Sequence, residues 1–133
     1  MVWAMRAGLV IALLAHAEKA SAGSVCDRVK SAGATPAGLL AEISKTLTKT
    51  ADANGYVAFE DPVNAAVWTF TKPEHEAHPS VVCRAIIGNP DGSVSMDMRV
   101  LCVGTDATCE RLVAAFKELN ERMAEALKRQ QPK

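Results

Sequence analysis

Residues 80–103 read SVVCRAIIGNPDGSVSMDMRVLCV, two apolar, β-branched segments (Ser80 to Gly88 and Ser93 to Val103) joined by Asn89, Pro90, Asp91 and Gly92. Proline second and glycine fourth are what a type I turn prefers, so this stretch predicts a β-hairpin. With strict alternation and no bulge, Arg84 faces Asp97 and Val82 faces Arg99 across the two strands. The outward face then holds Val82, Arg84, Ile86, Asp97, Arg99 and Leu101. The core face gathers Val81, Cys83, Ala85 and Ile87 with Val94, Met96, Met98, Val100 and Cys102. A bulge at Gly92, a frequent companion of type I turns in hairpins, would slip the pairing by one residue and break the Arg84–Asp97 match.

Working outward, Tyr56 to Glu60 and Ala65 to Thr71 are rich in aromatic and β-branched residues and read as strands joined through Asp61, Pro62, Val63 and Asn64. Lys72 to Pro79 is a polar loop whose two prolines stop the neighbouring strands. Ahead of these, Thr35 can cap a helix with Pro36 in its first position. Leu39, Leu40, Ile43 and Leu47 form its stripe, Lys45 and Lys49 favour its carboxyl end, and the turn residues Asp52 to Gly55 stop it. After the hairpin, Thr105 and Asp106 can cap a second helix, with Cys109, Leu112, Val113, Phe116, Leu119, Met123 and Leu127 on one stripe. Glu118 with Arg122 and Glu125 with Arg129 give it a solvated face, and Gln130 to Lys133 reads as a frayed tail. The order predicts an α+β domain, a four-stranded antiparallel meander with an N-terminal and a C-terminal helix packed on one sheet face.

Residues 1–22 stand apart from this pattern. Arg6 precedes an apolar run, Ala7 to Ala15, and Ala20, Ser21 and Ala22 supply the small residues a signal peptidase reads, so residues 1–22 are expected to be a cleaved signal peptide and 23–133 a single domain. The run is roughly nine residues against the 20 or so of a membrane helix, and no span is expected in the mature chain. Cys26 lies behind polar residues rather than a small-residue lipidation box. The four cysteines, Cys26, Cys83, Cys102 and Cys109, are expected to form two disulfides in an exported chain. Cys102 and Cys109 are close enough in sequence to pair, which leaves Cys26 for Cys83. No Cys-x-x-Cys pair of a zinc site occurs.

The 133 residues are 49% hydrophobic and 23% charged, with 15 basic against 15 acidic side chains, which suits one globular domain and gives no basic field for nucleic acid. No nucleophile elbow, phosphate loop or dinucleotide fingerprint is present, so neither an enzyme nor a cofactor is expected. His75, Glu76 and His78 share the polar loop and are suitable ligands for zinc, copper or nickel, whereas strand parity turns Met96 and Met98 inward and makes them packing residues. The expectation that remains is a periplasmic or secreted protein-binding module, monomer or small oligomer, of the kind an immunity-type or envelope accessory protein would be. Its interface is expected on the outward sheet face, where apolar residues mix with charges. The alternative is a periplasmic metal-binding protein using His75, Glu76 and His78. Mass spectrometry of protein recovered from the cell envelope is expected to show a chain beginning at Gly23. A cytoplasmic product still carrying Met1 would reject export.

Overall fold

A computed structural model describes residues 24–130 of the chain. The expected signal peptide and the last three residues lie outside the described residues. A 3₁₀ helix, Val25–Lys30, is followed by α1 (Pro36–Thr46), β1 (Thr48–Ala53), β2 (Tyr56–Asp61), β3 (Ala66–Thr71), β4 (Ser80–Gly88), β5 (Val94–Cys102) and α2 (Asp106–Gln130). The strands form one antiparallel sheet in the order β1-β2-β3-β4-β5. The class is α+β, with five strands where four were expected.

The additional strand is β1. Thr35 caps α1 as its residue type predicts, its hydroxyl accepting from the Gly38 N–H at 3.0 Å. The helix stops at Thr46, and Lys49 lies in β1 rather than in a helical turn. Asn54 (φ 58°) and Gly55 (φ 84°) are both left-handed, the backbone of a two-residue hairpin turn, and Ala53 pairs with Tyr56 across it. The Asn-Gly pair, read above as a helix stop, is a strand reversal.

The hairpin of β4 and β5 has the slipped register. Gly92 is left-handed (φ 88°), its N–H donates to the Asn89 carbonyl at 3.0 Å, and the Asn89 N–H donates to the Ser93 carbonyl at 2.8 Å. This is a type I turn closed by a bulge at the glycine. Arg84 consequently pairs with Met98 instead of Asp97, and Cys83 rather than Val82 pairs with Arg99. A one-residue slip exchanges the faces of a strand. Asp97, Arg99 and Leu101 join Cys83, while Met96, Met98, Val100 and Cys102 join Val82, Arg84 and Ile86. The six residues expected to form one outward face are thus divided between the two faces of the sheet.

Both faces are covered, so the helices do not share one. On the first, α1 and the 3₁₀ helix bury Leu39, Ile43, Cys26 and Val29 against Phe59, Trp68, Phe70, Val81, Cys83 and Ala85. On the second, α2 buries Leu112 and Phe116 against Val82 and Ala77, with Tyr56, Met98, Val100 and Cys102 at the margin. Consecutive apolar residues in β4, Val81-Val82 and Ile86-Ile87, are what a strand buried on both faces requires. Each layer has its own staple: Cys26–Cys83 (Cα separation 5.4 Å) ties the 3₁₀ helix to β4, and Cys102–Cys109 (5.9 Å) ties α2 to the end of β5. No cysteine is free.

Gly55 joins backbone constraint to packing, because a Cβ there would lie 3.3 Å from His75 Cδ2 in addition to the strained φ. Gly55→Ala is expected to lower the unfolding free energy by about 1–2 kcal/mol in urea titration, with the m-value unchanged.

Candidate functional site

The loop between β3 and β4 holds the residues with the most evident chemistry. His75 Nδ1 accepts from the Ala77 N–H at 2.9 Å, so the ring proton sits on Nε2, which donates to the Tyr56 hydroxyl at 2.9 Å. The Tyr56 ring lies against His75 (centroids 4.8 Å apart) and meets Phe116 of α2 edge-on at 5.6 Å. Burial, and then the charge of Glu76, raise the Tyr56 hydroxyl above its ordinary pKa. Glu76 turns to α2, where Arg111 Nε and Nη2 donate to its two oxygens, each at 2.9 Å. His78 Nδ1 donates to the Thr71 carbonyl at 2.9 Å.

The three expected metal ligands therefore reach three different partners: a tyrosine, an arginine and a strand carbonyl. Among the described residues, no three His, Cys, Asp or Glu side chains are grouped so that they could hold a metal ion. What the arrangement does chemically is clamp the loop to β2 and α2.

Arg84 and Arg99, both expected on one surface, lie on opposite sides of the sheet. Arg84 reaches beneath α2, with its guanidinium carbon 5.1 Å from the centre of the Phe116 ring and Nη1 3.4 Å from Asn120 Oδ1. Desolvation lowers its pKa from the ordinary guanidinium value, and Nε is buried without a hydrogen-bond partner. Arg99 lies on the other face, with Nη1 3.1 Å from Asp97 Oδ1 and Nε 3.5 Å from Asp27 Oδ1 of the 3₁₀ helix. Val82 is buried under α2. Ile86 lines a small apolar cleft of about 170 Å³ between the hairpin tip and the end of α2, with Val94, Met96, Ala124 and Leu127.

The two ends of the sheet differ in the way that governs strand association. β1 is six residues long, exposed throughout and irregular between Lys49 and Ala51, and its Asp52 is paired with Lys49 and Lys72. Short length, a bulge and charge are the devices that protect an edge from further pairing. β5 is nine residues long, pairs with β4 without interruption and contains neither lysine nor proline. Among the described residues no strand covers its outer edge.

The direction of the backbone groups on that edge follows from the hairpin. The Asn89 N–H bonds the Ser93 carbonyl and the Val103 N–H bonds the Pro79 carbonyl, so the odd-numbered residues of β5 bond to β4. The N–H and C=O groups of Val94, Met96, Met98, Val100 and Cys102 point away from the sheet. Sequence reasoning missed this edge, although the length and regularity of the segment after Gly92 signalled it.

The chain matches no protein-family model, and no curated protein or solved structure is significantly similar to it.

The loop clamp has a pH signature. Hydrogen bonds from Arg111, and then its charge, hold the Glu76 carboxyl below its ordinary pKa of 4.5. Because folding lowers this pKa, the stabilisation is complete above the ordinary value and is lost as pH falls through the folded one. The melting-temperature difference between wild type and Glu76→Gln is therefore expected to be largest above about pH 5 and to shrink steadily below it.

Proposed function

We propose that this chain is an exported protein-binding module, periplasmic or secreted, that receives its partner as an added strand on the outer edge of β5. The observation that carries this reading is the contrast between the two edges: β1 is short, irregular and fully exposed, whereas β5 is nine residues long, pairs with β4 without interruption and has as its only charges Asp97 and Arg99, which pair with each other. An added strand would meet a row of outward N–H and C=O groups, which supply affinity, and alternating side chains on either face, which supply selectivity. The apolar cleft beside Val94 and Met96 lies next to this edge and suits an apolar side chain of the partner.

Export is supported by the pattern of residues 1–22 and by the use of all four cysteines in disulfides, which persist in oxidising compartments. No described helix is long and apolar enough to cross a membrane. An immunity-type protein or an accessory subunit of an envelope assembly is the kind of module this proposal describes.

A photo-crosslinking residue placed at exposed Ser95, on the β5 edge, tests the reading in cells that export the chain. Protein adducts are expected from Ser95 and few or none from the same probe at Ala51 on β1. No adduct at Ser95, or equal capture at both edges, would reject strand addition.

A further inference from the structure

We infer that the strand β5 receives is β5 of a second copy, so that two five-stranded sheets join into one about a two-fold axis through Met98; this rests on the strand-addition reading above. The backbone limits the choice of register first. Only the even-numbered residues of β5 have free outward N–H and C=O groups, so an added β5 must place even residues opposite even residues. Any shift by one residue would put groups already bonded to β4 against the partner.

Among the registers this leaves, the charges select one. Asp97 and Arg99 are the only charged residues of β5, and they flank Met98, the middle residue of the nine. Antiparallel pairing centred on Met98 sets Asp97 directly opposite Arg99 of the partner subunit, and Arg99 opposite the partner's Asp97. Centring on Asp97 would oppose two aspartates, and centring on Arg99 two arginines, both unfavourable. The Met98-centred register is also the one that aligns the full strand, Val94 with Cys102 of the partner subunit and Met96 with the partner's Val100. Charge, hydrogen-bond parity and strand length thus agree on one self-complementary arrangement, which is what a two-fold interface requires.

The odd-numbered residues are non-hydrogen-bonded pairs across such a junction, where side chains approach most closely. Asp97 and Arg99 already contact each other within one chain at 3.1 Å on the face of the 3₁₀ helix. Four charges would therefore alternate in sign around the axis, with Asp27 beside each Arg99. Their side chains are 16% and 35% exposed in the single chain, so they are partly desolvated before association.

Sedimentation of the full oxidised chain tests this directly. The wild type is expected to be a dimer. Asp97→Lys places lysine opposite arginine and Arg99→Glu places glutamate opposite aspartate, so each variant alone should dimerise about tenfold or more weakly. Mixed in equal amounts, the two variants are complementary at both positions, and the dimer should return. A variant that had merely misfolded would not be rescued by mixing. If either reversal unfolds the chain, Met98→Pro takes its place, removing an N–H that bonds nothing among the described residues. Loss of the dimer with circular dichroism retained then supports the pairing, and persistence of the dimer overturns it.

A wild type that stays monomeric at its highest soluble concentration would also overturn it, as would a dimer indifferent to both reversals or variants that mixing fails to restore. The Ser95 adduct separates this inference from the broader one. An adduct of twice the chain mass agrees with self-pairing. One of another mass, with a monomeric wild type, ends self-pairing and leaves strand addition intact. No adduct ends both.

Discussion

The left-handed backbone of Gly92 sets the pairing of β4 with β5, and the arrangement of the whole domain follows from that register. A strand alternates its side chains with a period of two, so one residue of slip reassigns every side chain on β5 to the opposite layer. With the bulge, Cys83 faces the 3₁₀ helix and Cys102 faces α2. Each disulfide can then staple a different layer to the same sheet. Without it, Cys83 and Cys102 would share a face, and the two helical layers could not be tied separately. The same slip removes Asp97 from Arg84, so that Asp97 pairs with Arg99 two residues along its own strand and Arg84 lies beneath α2 with Phe116, Asn120 and Met123 as its neighbours.

A small sheet covered on both sides has little interior to spare, and this chain divides it into two modest clusters. The larger is built around Trp68, which is fully buried beside Cys83 and carries Arg28 5.5 Å from the ring centroid on its 3₁₀ side. The smaller lies under the first half of α2, where Leu112 and Phe116 are the buried residues and the later helix stays half-buried or exposed. Covalent closure of both layers suits a domain whose cores are this limited, because cross-links act on the unfolded chain and do not depend on core size. The loop of His75, Glu76 and His78 adds a third fastening, since its polar side chains reach β2, α2 and β3 respectively. Imidazole and carboxylate groups in an exposed loop suggest chemistry, yet here each one satisfies a structural hydrogen bond.

With both faces covered by helices, the unpaired backbone of the sheet lies at its two borders. β1 ends the sheet in a form unsuited to pairing, and β5 ends it with an ordered row of unspent backbone groups. The proposed interface accordingly lies in main chain on an edge rather than in side chains on a face. Asp97 and Arg99 keep a role in it, because they lie on the edge strand itself.

Much of this was legible in the sequence. The cap at Thr35, the stripe of α2, the strands β2 to β5 and the pairing of cysteines close in sequence all follow from local rules: residue type at a cap, spacing along a helix, β-branched content and short loop closure. The Asn54-Gly55 signal for β1 was equally present but was outweighed by the helical pattern before it. What tertiary structure alone decided was which way alternate residues face. A hairpin sequence permits two registers, and the choice rests on one glycine's φ and on whether Cys83 and Cys102 can both find partners in separate layers. That choice in turn decided that Val82, Arg84 and Ile86 part company with Asp97, Arg99 and Leu101, while the divergence of His75, Glu76 and His78 was decided separately, by the partners each meets on β2, α2 and β3. Local sequence sets the period of a strand, but its phase relative to the rest of the molecule is a long-range property, fixed by what packs on each side.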